Sequence, residues 1–224
     1  MSPGPGHYRD GTVWAARRDM VAIMGESESV VADRRPRPSE ALLQRIAVHE
    51  ASHAVARLVF DLDTITEISI DAPCGGYVLA ETEVYEENTR PYFEAHLCMM
   101  LAGRAGEEEF LRSVGANIGD VASNSDHQSA TKLAYDMETA MGFAEDMPLL
   151  YRRRSDWAQH LATDPHLAAR VNARLERAYR MARKLLSKQS AAVAYLREQL
   201  LTHGTLKGPT LRMVLEETRK LISP

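Results

Sequence analysis

Cysteine is scarce in this chain of 224 residues. Cys74 and Cys98 are its only two cysteines, they stand 24 positions apart, and no C-x-x-C pair occurs. Two cysteines at this spacing provide no disulfide framework, which excludes the small disulfide-stabilised class of secreted proteins. The cysteine content therefore fits a reducing compartment.

Long apolar runs are also absent. The longest candidates, Val55–Phe60 and Leu97–Ala102, fall far short of the roughly 20 residues that a membrane-spanning helix needs. Met1–Gly6 is rich in proline and glycine and lacks the apolar core of a signal peptide. We therefore expect a soluble cytoplasmic protein without a membrane partner.

An excess of positive charge is missing as well. The net charge of −4 gives no electrostatic footprint for a nucleic acid partner. The cluster Arg152–Arg154 is local and is typical of a solvated helix or loop edge. With 45% hydrophobic residues the chain can bury a sizeable core, which excludes wholesale disorder.

The chain divides by composition near residue 38. Residues 1–38 are rich in proline, glycine and arginine and are predicted to be an irregular lead-in. Residues 39–224 are predicted to form one domain, a size that a single core can support. The function is therefore sought in the second segment.

Helical patterns dominate this domain. Ser39 is a good N-cap for a helix that runs to about Phe60. Residues 64–71 alternate and carry β-branched side chains, Cys74–Gly76 is predicted to be a turn, and a second strand is expected to follow it through about Val84. The later helices are predicted at roughly 91–112, 124–142, 165–202 and 209–221. The predicted fold class is mainly α with a small β-sheet (α+β).

The most informative motif is H-E-A-S-H, with His49 and His53 four residues apart on the first predicted helix. Residues at this spacing lie on one face, one turn apart, so their imidazoles can converge on one zinc ion. Glu50 points elsewhere and can accept a proton from a water molecule that zinc has acidified. The motif thus predicts hydrolysis of an amide bond. The alternative is two core histidines on an ordinary amphipathic helix.

A catalytic zinc needs a third protein ligand. Asp126 is a candidate, because the capping residues Ser123, Asn124 and Ser125 place it in the first turn of the next helix, where the helix dipole favours an ionised carboxylate. The alternative is that Asp126 merely occupies a helix N-terminus, as Asp often does. Asp120 and His127 are competing ligands. Glu107–Glu109, on the preceding helix, are expected to include solvated positions; the alternative is that one of them orients a metal ligand.

Five sequence blocks, each occurring once and in a fixed order, carry a resemblance to a known family. They are H-E-A-S-H-A at His49–Ala54, C-G-G-Y at Cys74–Tyr77, L-A-G-R-A-G-E-E at Leu101–Glu108, S-N-S-D-H-Q-S-A-T at Ser123–Thr131 and L-L-T-H-G-T-L at Leu200–Leu206. In the same order they resemble five blocks in the peptidase domain of the FtsH family of ATP-dependent zinc proteases. Those family blocks are H-E-A-G-H-A, a Gly-Gly turn before a strand, L-G-G-R-A-A-E-E, S-N-D-x-x-x-A-T and L-L-x-x-E-T-L.

The resemblance implies Zn²⁺ as the cofactor, Asp126 as its third ligand and a mainly helical fold. It also suggests a homo-oligomer. Gly75–Glu81 is expected to be an edge strand whose residues Gly75, Gly76, Tyr77 and Val78 bind substrate by β-augmentation. An ordinary internal hairpin is the alternative for this segment.

The chain also departs from the family pattern. It contains no G-x-x-x-x-G-K-S/T, so an ATP-independent enzyme acting on short peptides or unfolded proteins is expected. Ser52 stands where the family has glycine, Gly204 stands where it has glutamate, and one residue is inserted before Asp126.

Three functional hypotheses follow. The first is an active zinc metalloendopeptidase, with Glu50 as general base and His49, His53 and Asp126 as ligands. The second is a non-catalytic metal-binding or regulatory module derived from the same peptidase domain. The third is a purely structural helical protein.

Overall fold

A computed structural model describes residues 38–72, 75–81, 88–116 and 125–223. Residues 1–37 lie outside these ranges, so the predicted lead-in and its boundary at residue 38 stay predictions. Cys74, Val84 and the candidate ligand Asp120 also lie outside the described residues.

The described residues form seven helices and three strands. The helices are α1 (Glu40–Phe60), α2 (Arg90–Leu111), α3 (Asp126–Thr139), α4 (Trp157–Thr163), α5 (Pro165–Lys188), α6 (Ser190–His203) and α7 (Gly208–Leu221); the strands are β1 (Thr64–Ala72), β2 (Gly75–Glu81) and β3 (Thr205–Lys207). A short 3-10 turn at Arg154–Asp156 precedes α4. This composition confirms the predicted α+β class. None of the described helices combines the length and the apolar character that a membrane crossing requires.

Helix α1 runs through the centre of the domain. It begins as predicted, because the Ser39 hydroxyl accepts a hydrogen bond from the backbone N–H of Leu42 at 3.2 Å. It ends at Asp61, which adopts a left-handed conformation with φ of 52°. Between these ends, residues 47–56 lie against α2, α6 and the sheet, and almost all of them are buried. Many of these are alanines, so neighbouring backbones can approach α1 closely.

The small sheet has the strand order β2-β1-β3, with both pairs antiparallel. Strand β1 pairs with β2 from Thr64 opposite Glu81 to Ala72 opposite Gly75. Strand β3 is absent from the sequence prediction, because three residues are too few to show an alternating pattern. Within the described sheet β2 is an edge strand, as expected for Gly75–Glu81.

The helix predicted over 165–202 is wrong in one respect, since it is two helices that meet at Gln189. The buried Gln189 side chain exchanges two hydrogen bonds with the backbone of Ser223, at 2.9 and 2.8 Å. These bonds satisfy the amide at the break. Helix α4 is also absent from the prediction.

Candidate metal centre

The two histidines of α1 have their Nδ1 atoms engaged by different acceptors. His49 Nδ1 lies 2.7 Å from Glu107 Oε1, and His53 Nδ1 lies 2.8 Å from the backbone carbonyl of Met99. A carboxylate and a carbonyl accept hydrogen bonds but donate none, so the hydrogen of each neutral ring resides on Nδ1. The Nε2 lone pairs are thereby left for a ligand, as in proteins that bind zinc through histidine.

Asp126 meets both rings. Its Oδ2 atom lies 3.1 Å from His49 Nε2 and 3.2 Å from His53 Nε2. Asp126 is the first residue of α3, and the preceding Ser125 caps that helix by accepting from the N–H of Gln128 at 3.2 Å. The helix start therefore places this carboxylate, and the structure brings all three predicted ligands together.

The spacing of these three donor groups suits a tetrahedral zinc ion. Zinc bonds of about 2.0–2.1 Å separate tetrahedral ligand atoms by roughly 3.3–3.4 Å, close to the observed N···O distances of 3.1 and 3.2 Å. Two imidazoles and a carboxylate are also a donor set typical of zinc. The residues present therefore fit the ion.

The carboxylates around His49 and His53 favour a positive charge between the two imidazoles and Asp126. Burial alone would lower the pKa of His49, but the carboxylates of Asp126, Glu107 and Glu50 raise that pKa to about 10. Burial alone would raise the pKa of Asp126, but His53 and His49 hold that pKa well below its usual range. The converging lone pairs thus attract either a proton or a metal cation.

Glu107 is absent from the predicted site residues, but it is buried and contacts His49, which is the alternative left open for one residue of Glu107–Glu109. Burial would raise the pKa of Glu107, but hydrogen bonds from His49, the Gly115 N–H and Arg45 lower it to about 2. An ionised carboxylate is therefore fixed behind His49. No local pattern marks it, because glutamate on a helix is usually solvated.

Gly103 of α2 is a second missed residue. A Cβ atom at this position would lie 2.5 Å from both His49 Cδ2 and His53 Nε2, which is closer than atoms can pack. Only a hydrogen atom fits between α2 and the imidazoles. A glycine in the middle of a helix costs about 1 kcal/mol relative to alanine. Its presence inside a helical pattern is therefore the sequence signal that another group packs closely against the helix at this position.

Glu50 lies beside the first residues of β2. Its side chain is buried, and a Cβ atom on Gly76 would lie only 2.5 Å from Glu50 Oε1. The predicted substrate-binding residues follow along the strand from this contact. Tyr77 donates a hydrogen bond from its hydroxyl to Glu67 Oε1 at 2.5 Å, and Val78 packs against the core. The edge strand and the predicted general base are therefore in contact.

His127 does not join this group. It is exposed, and the donor atoms that converge among the described residues belong to His49, His53 and Asp126. The structure therefore favours Asp126 over its neighbour as the third donor.

Residues 38–214 match peptidase family M41. The chain belongs to this family. Among the relatives of this M41 chain are two proteins of Symbiobacterium thermophilum, ATP-dependent zinc metalloproteases FtsH 2 and FtsH 1. They are 33% and 34% identical over 81% and 83% of the chain. A third, ATP-dependent zinc metalloprotease FtsH 1 of Thermomicrobium roseum, is 28% identical over 96% of the chain.

The M41 chain spans about a third of the length of these relatives, 31% of the first two and 36% of the third. Membership of peptidase family M41 confirms the resemblance, and with relatives named as zinc metalloproteases it implies Zn²⁺ as the cofactor. The residue inserted before Asp126 does not keep this carboxylate from reaching both imidazoles.

Proposed function

We propose that this chain is an active zinc metalloendopeptidase that cleaves short or unfolded polypeptides without ATP. His49, His53 and Asp126 would hold the ion, and Glu50 would act as general base. The observation that carries the proposal is the convergence of two Nε2 lone pairs on one Asp126 oxygen, while each Nδ1 is held by an acceptor.

Zinc, when bound, supplies a Lewis acid that polarises a carbonyl and lowers the pKa of water. The protein's own groups supply orientation and proton transfer. Glu107 and the Met99 carbonyl fix the planes of the imidazole rings. Glu50 is buried next to the metal ligands, so its carboxylate can accept a proton from water and pass it to the leaving amine.

The substrate would bind as an extended strand along β2. Within the described sheet β2 is the edge strand beside β1, which is the position at which strand addition places a peptide. Because Gly76 touches Glu50, a peptide along Gly75, Gly76, Tyr77 and Val78 would pass close to the general base. Strand addition requires an extended backbone, which favours unfolded chains over folded proteins.

Independence from ATP is the second part of the proposal. The 224 residues contain no G-x-x-x-x-G-K-S/T sequence to cradle a triphosphate. We therefore expect this chain to cleave an unfolded substrate at the same rate with and without ATP.

Glu50→Gln tests the catalytic assignment. Purified wild type should contain one zinc per chain and cleave an unfolded casein-like substrate, whereas Glu50→Gln should keep the zinc and lose at least about 100-fold in rate, the typical contribution of a general base. Glu198→Gln, a change at an exposed position of α6, is the matched control and should behave as wild type.

The outcomes separate the remaining hypotheses. A stoichiometric zinc protein in which wild type and Glu50→Gln are equally inactive would be the non-catalytic metal-binding module. A protein that binds no zinc would overturn the metal site itself.

A further inference from the structure

Glu107 uses its two oxygen atoms for different purposes. Oε1 accepts from His49 Nδ1 at 2.7 Å. Oε2 accepts from Arg45 Nη1 at 2.6 Å and from the backbone N–H of Gly115 at 2.7 Å. The oxygen that does not face His49 is therefore held by two donors, one of them charged. Arg45 itself lies one helical turn before His49 on α1.

Arg45 also binds the chain that follows α2. Its Nη1 donates to the backbone carbonyl of Ser113 at 2.9 Å, and its Nη2 donates to the Ser113 hydroxyl at 2.8 Å. The planar guanidinium thus contacts a carboxylate, a carbonyl and a hydroxyl at once, which a lysine ammonium cannot do in the same geometry. The guanidinium fixes Glu107 and the segment at Ser113–Gly115 relative to α1.

The two imidazoles differ in what orients them. His53 is held by the Met99 carbonyl, which belongs to the rigid backbone of α2. His49 is held by a glutamate side chain, whose carboxylate can rotate unless its second oxygen is restrained. His49 is also the more exposed ring, with a side-chain exposure of 20% against 8% for His53. The orientation of His49 therefore depends on what holds Glu107.

We propose that Arg45 is a positioning residue for the zinc site, acting through Glu107 on the ring of His49. The proposal rests on the ligand set of the proposed function. Arg45, which lies outside the H-E-x-x-H motif, thus contributes to the zinc affinity. Its contact with the segment after α2 is therefore part of the zinc site. Loss of Arg45 would leave Glu107 Oε2 held by the Gly115 N–H alone, in a segment that has also lost the two hydrogen bonds from Arg45 to Ser113. The Glu107 carboxylate would then be less restrained, and His49 would present Nε2 in a less fixed direction.

The test measures zinc affinity, which needs no turnover. The dissociation constant is obtained by competition with a chromogenic chelator for wild type, Arg45→Met, Glu107→Gln and the double variant. Replacing a group that orients a metal ligand weakens metal binding by about 10- to 100-fold, so we expect about tenfold for Arg45→Met and a larger loss for Glu107→Gln. Because both changes act on one contact, the double variant should bind zinc no more weakly than Glu107→Gln alone.

Three further variants sharpen the test. Arg197→Met removes an arginine of α6 whose side-chain exposure, 32%, is close to the 29% of Arg45, and it should leave the affinity unchanged. Arg45→Lys keeps the charge and should recover part of the loss. If Arg45→Met does not fold, Arg45→Lys and Ser113→Ala carry the test, and each should weaken zinc binding by at least about twofold.

Two results would overturn the inference: wild-type zinc affinity in the folded Arg45 variants, or losses from Arg45→Met and Glu107→Gln that multiply in the double variant. The first result would make Arg45 an ion pair with no effect on the metal, and the second would show that Arg45 affects zinc binding independently of Glu107. These results are distinct from failure of the proposed function, in which the wild type itself binds no zinc or binds zinc without cleaving peptide.

Discussion

The side chain of Ser52 on α1 fills the space that a side chain at position 106 on α2 would enter. A Cβ atom on Gly106 would overlap the Ser52 hydroxyl and would lie 2.8 Å from Ser52 Cβ. The FtsH blocks that this chain resembles carry glycine at the position of Ser52 and alanine at the position of Gly106. In this chain the small side chain is on α1, at Ser52, and α2 has glycine at position 106. The close contact between α1 and α2 beside the histidines is therefore kept.

This exchange predicts strong coupling between the two positions. Gly106→Ala alone should lower the free energy of unfolding by about 1–3 kcal/mol, because it overpacks the helix contact. The double variant Ser52→Gly with Gly106→Ala should regain at least about 1 kcal/mol relative to Gly106→Ala alone, as expected for residues in contact. Urea denaturation of the metal-free proteins measures both values. Additive effects would show that the two positions do not share one space.

Gly103→Ala should separate folding from metal binding. The new methyl group would occupy the space beside both imidazoles. In the metal-free protein the rings would have to turn away from their Nδ1 acceptors, a cost that the gain of about 1 kcal/mol in helix propensity offsets in part, so the protein should stay folded with a lowered thermal midpoint. Zinc content after dialysis, measured by atomic emission, should nevertheless fall to a small fraction of one ion per chain. Full zinc occupancy in this variant would contradict the described packing of α2 against the rings.

Gly76→Ala should instead disturb the general base. A Cβ atom there would lie 2.5 Å from Glu50 Oε1 and 2.6 Å from Ile46 Cγ2, so the Glu50 side chain would have to move. We expect zinc to be retained and the peptidase rate to fall by at least about tenfold, since general base catalysis depends on position. Glu198→Gln, at an exposed position of α6, is again the control and should leave the Glu50 contact and the rate unchanged. Loss of zinc from Gly76→Ala would place the glycine against the ligands rather than the base.

Asp164, at the start of α5, gives a prediction for pH. Its pKa is lowered below 3.8 by the hydrogen bond from the Leu167 N–H and by the pairing with Arg152. A depressed carboxyl pKa contributes stability above about pH 3.8 that is lost as the pH falls through the lower folded value.

Comparison of wild type with Asp164→Asn checks this sign. Asparagine can still cap the helix but carries no charge. In the presence of chelator the wild type should melt at the higher temperature at pH 7, and the difference should shrink below about pH 4. A difference that is constant from pH 7 to pH 3 would assign the effect to the cap alone.

The parts of the site that could be predicted are those encoded by local spacing. The i, i+4 relation of His49 and His53 and the capping of α1 by Ser39 depend only on residues within one or two helical turns. The position of Asp126 at the first turn of α3 is local in the same sense. Such features survive in the fold because they use the geometry that any helix has.

The parts that could not be predicted join distant positions of the chain. Glu107 is 58 residues from His49, and Met99 is 46 residues from His53. The break at Gln189 is held by Ser223, 34 residues away, and neither glycine nor proline marks it. Periodicity describes which face of an element is apolar, but it does not show which polar groups of two elements will meet.

His53 and Asp126 face each other at 3.2 Å although 73 residues separate them in the chain. An ion held between them acts as a cross-link, since it ties the first helix to the third and is present only in the folded protein. Binding of that ion would stabilise the native state by an amount that rises with the logarithm of its free concentration above the dissociation constant. Under zinc starvation the folded fraction of this protein would therefore fall together with its zinc content.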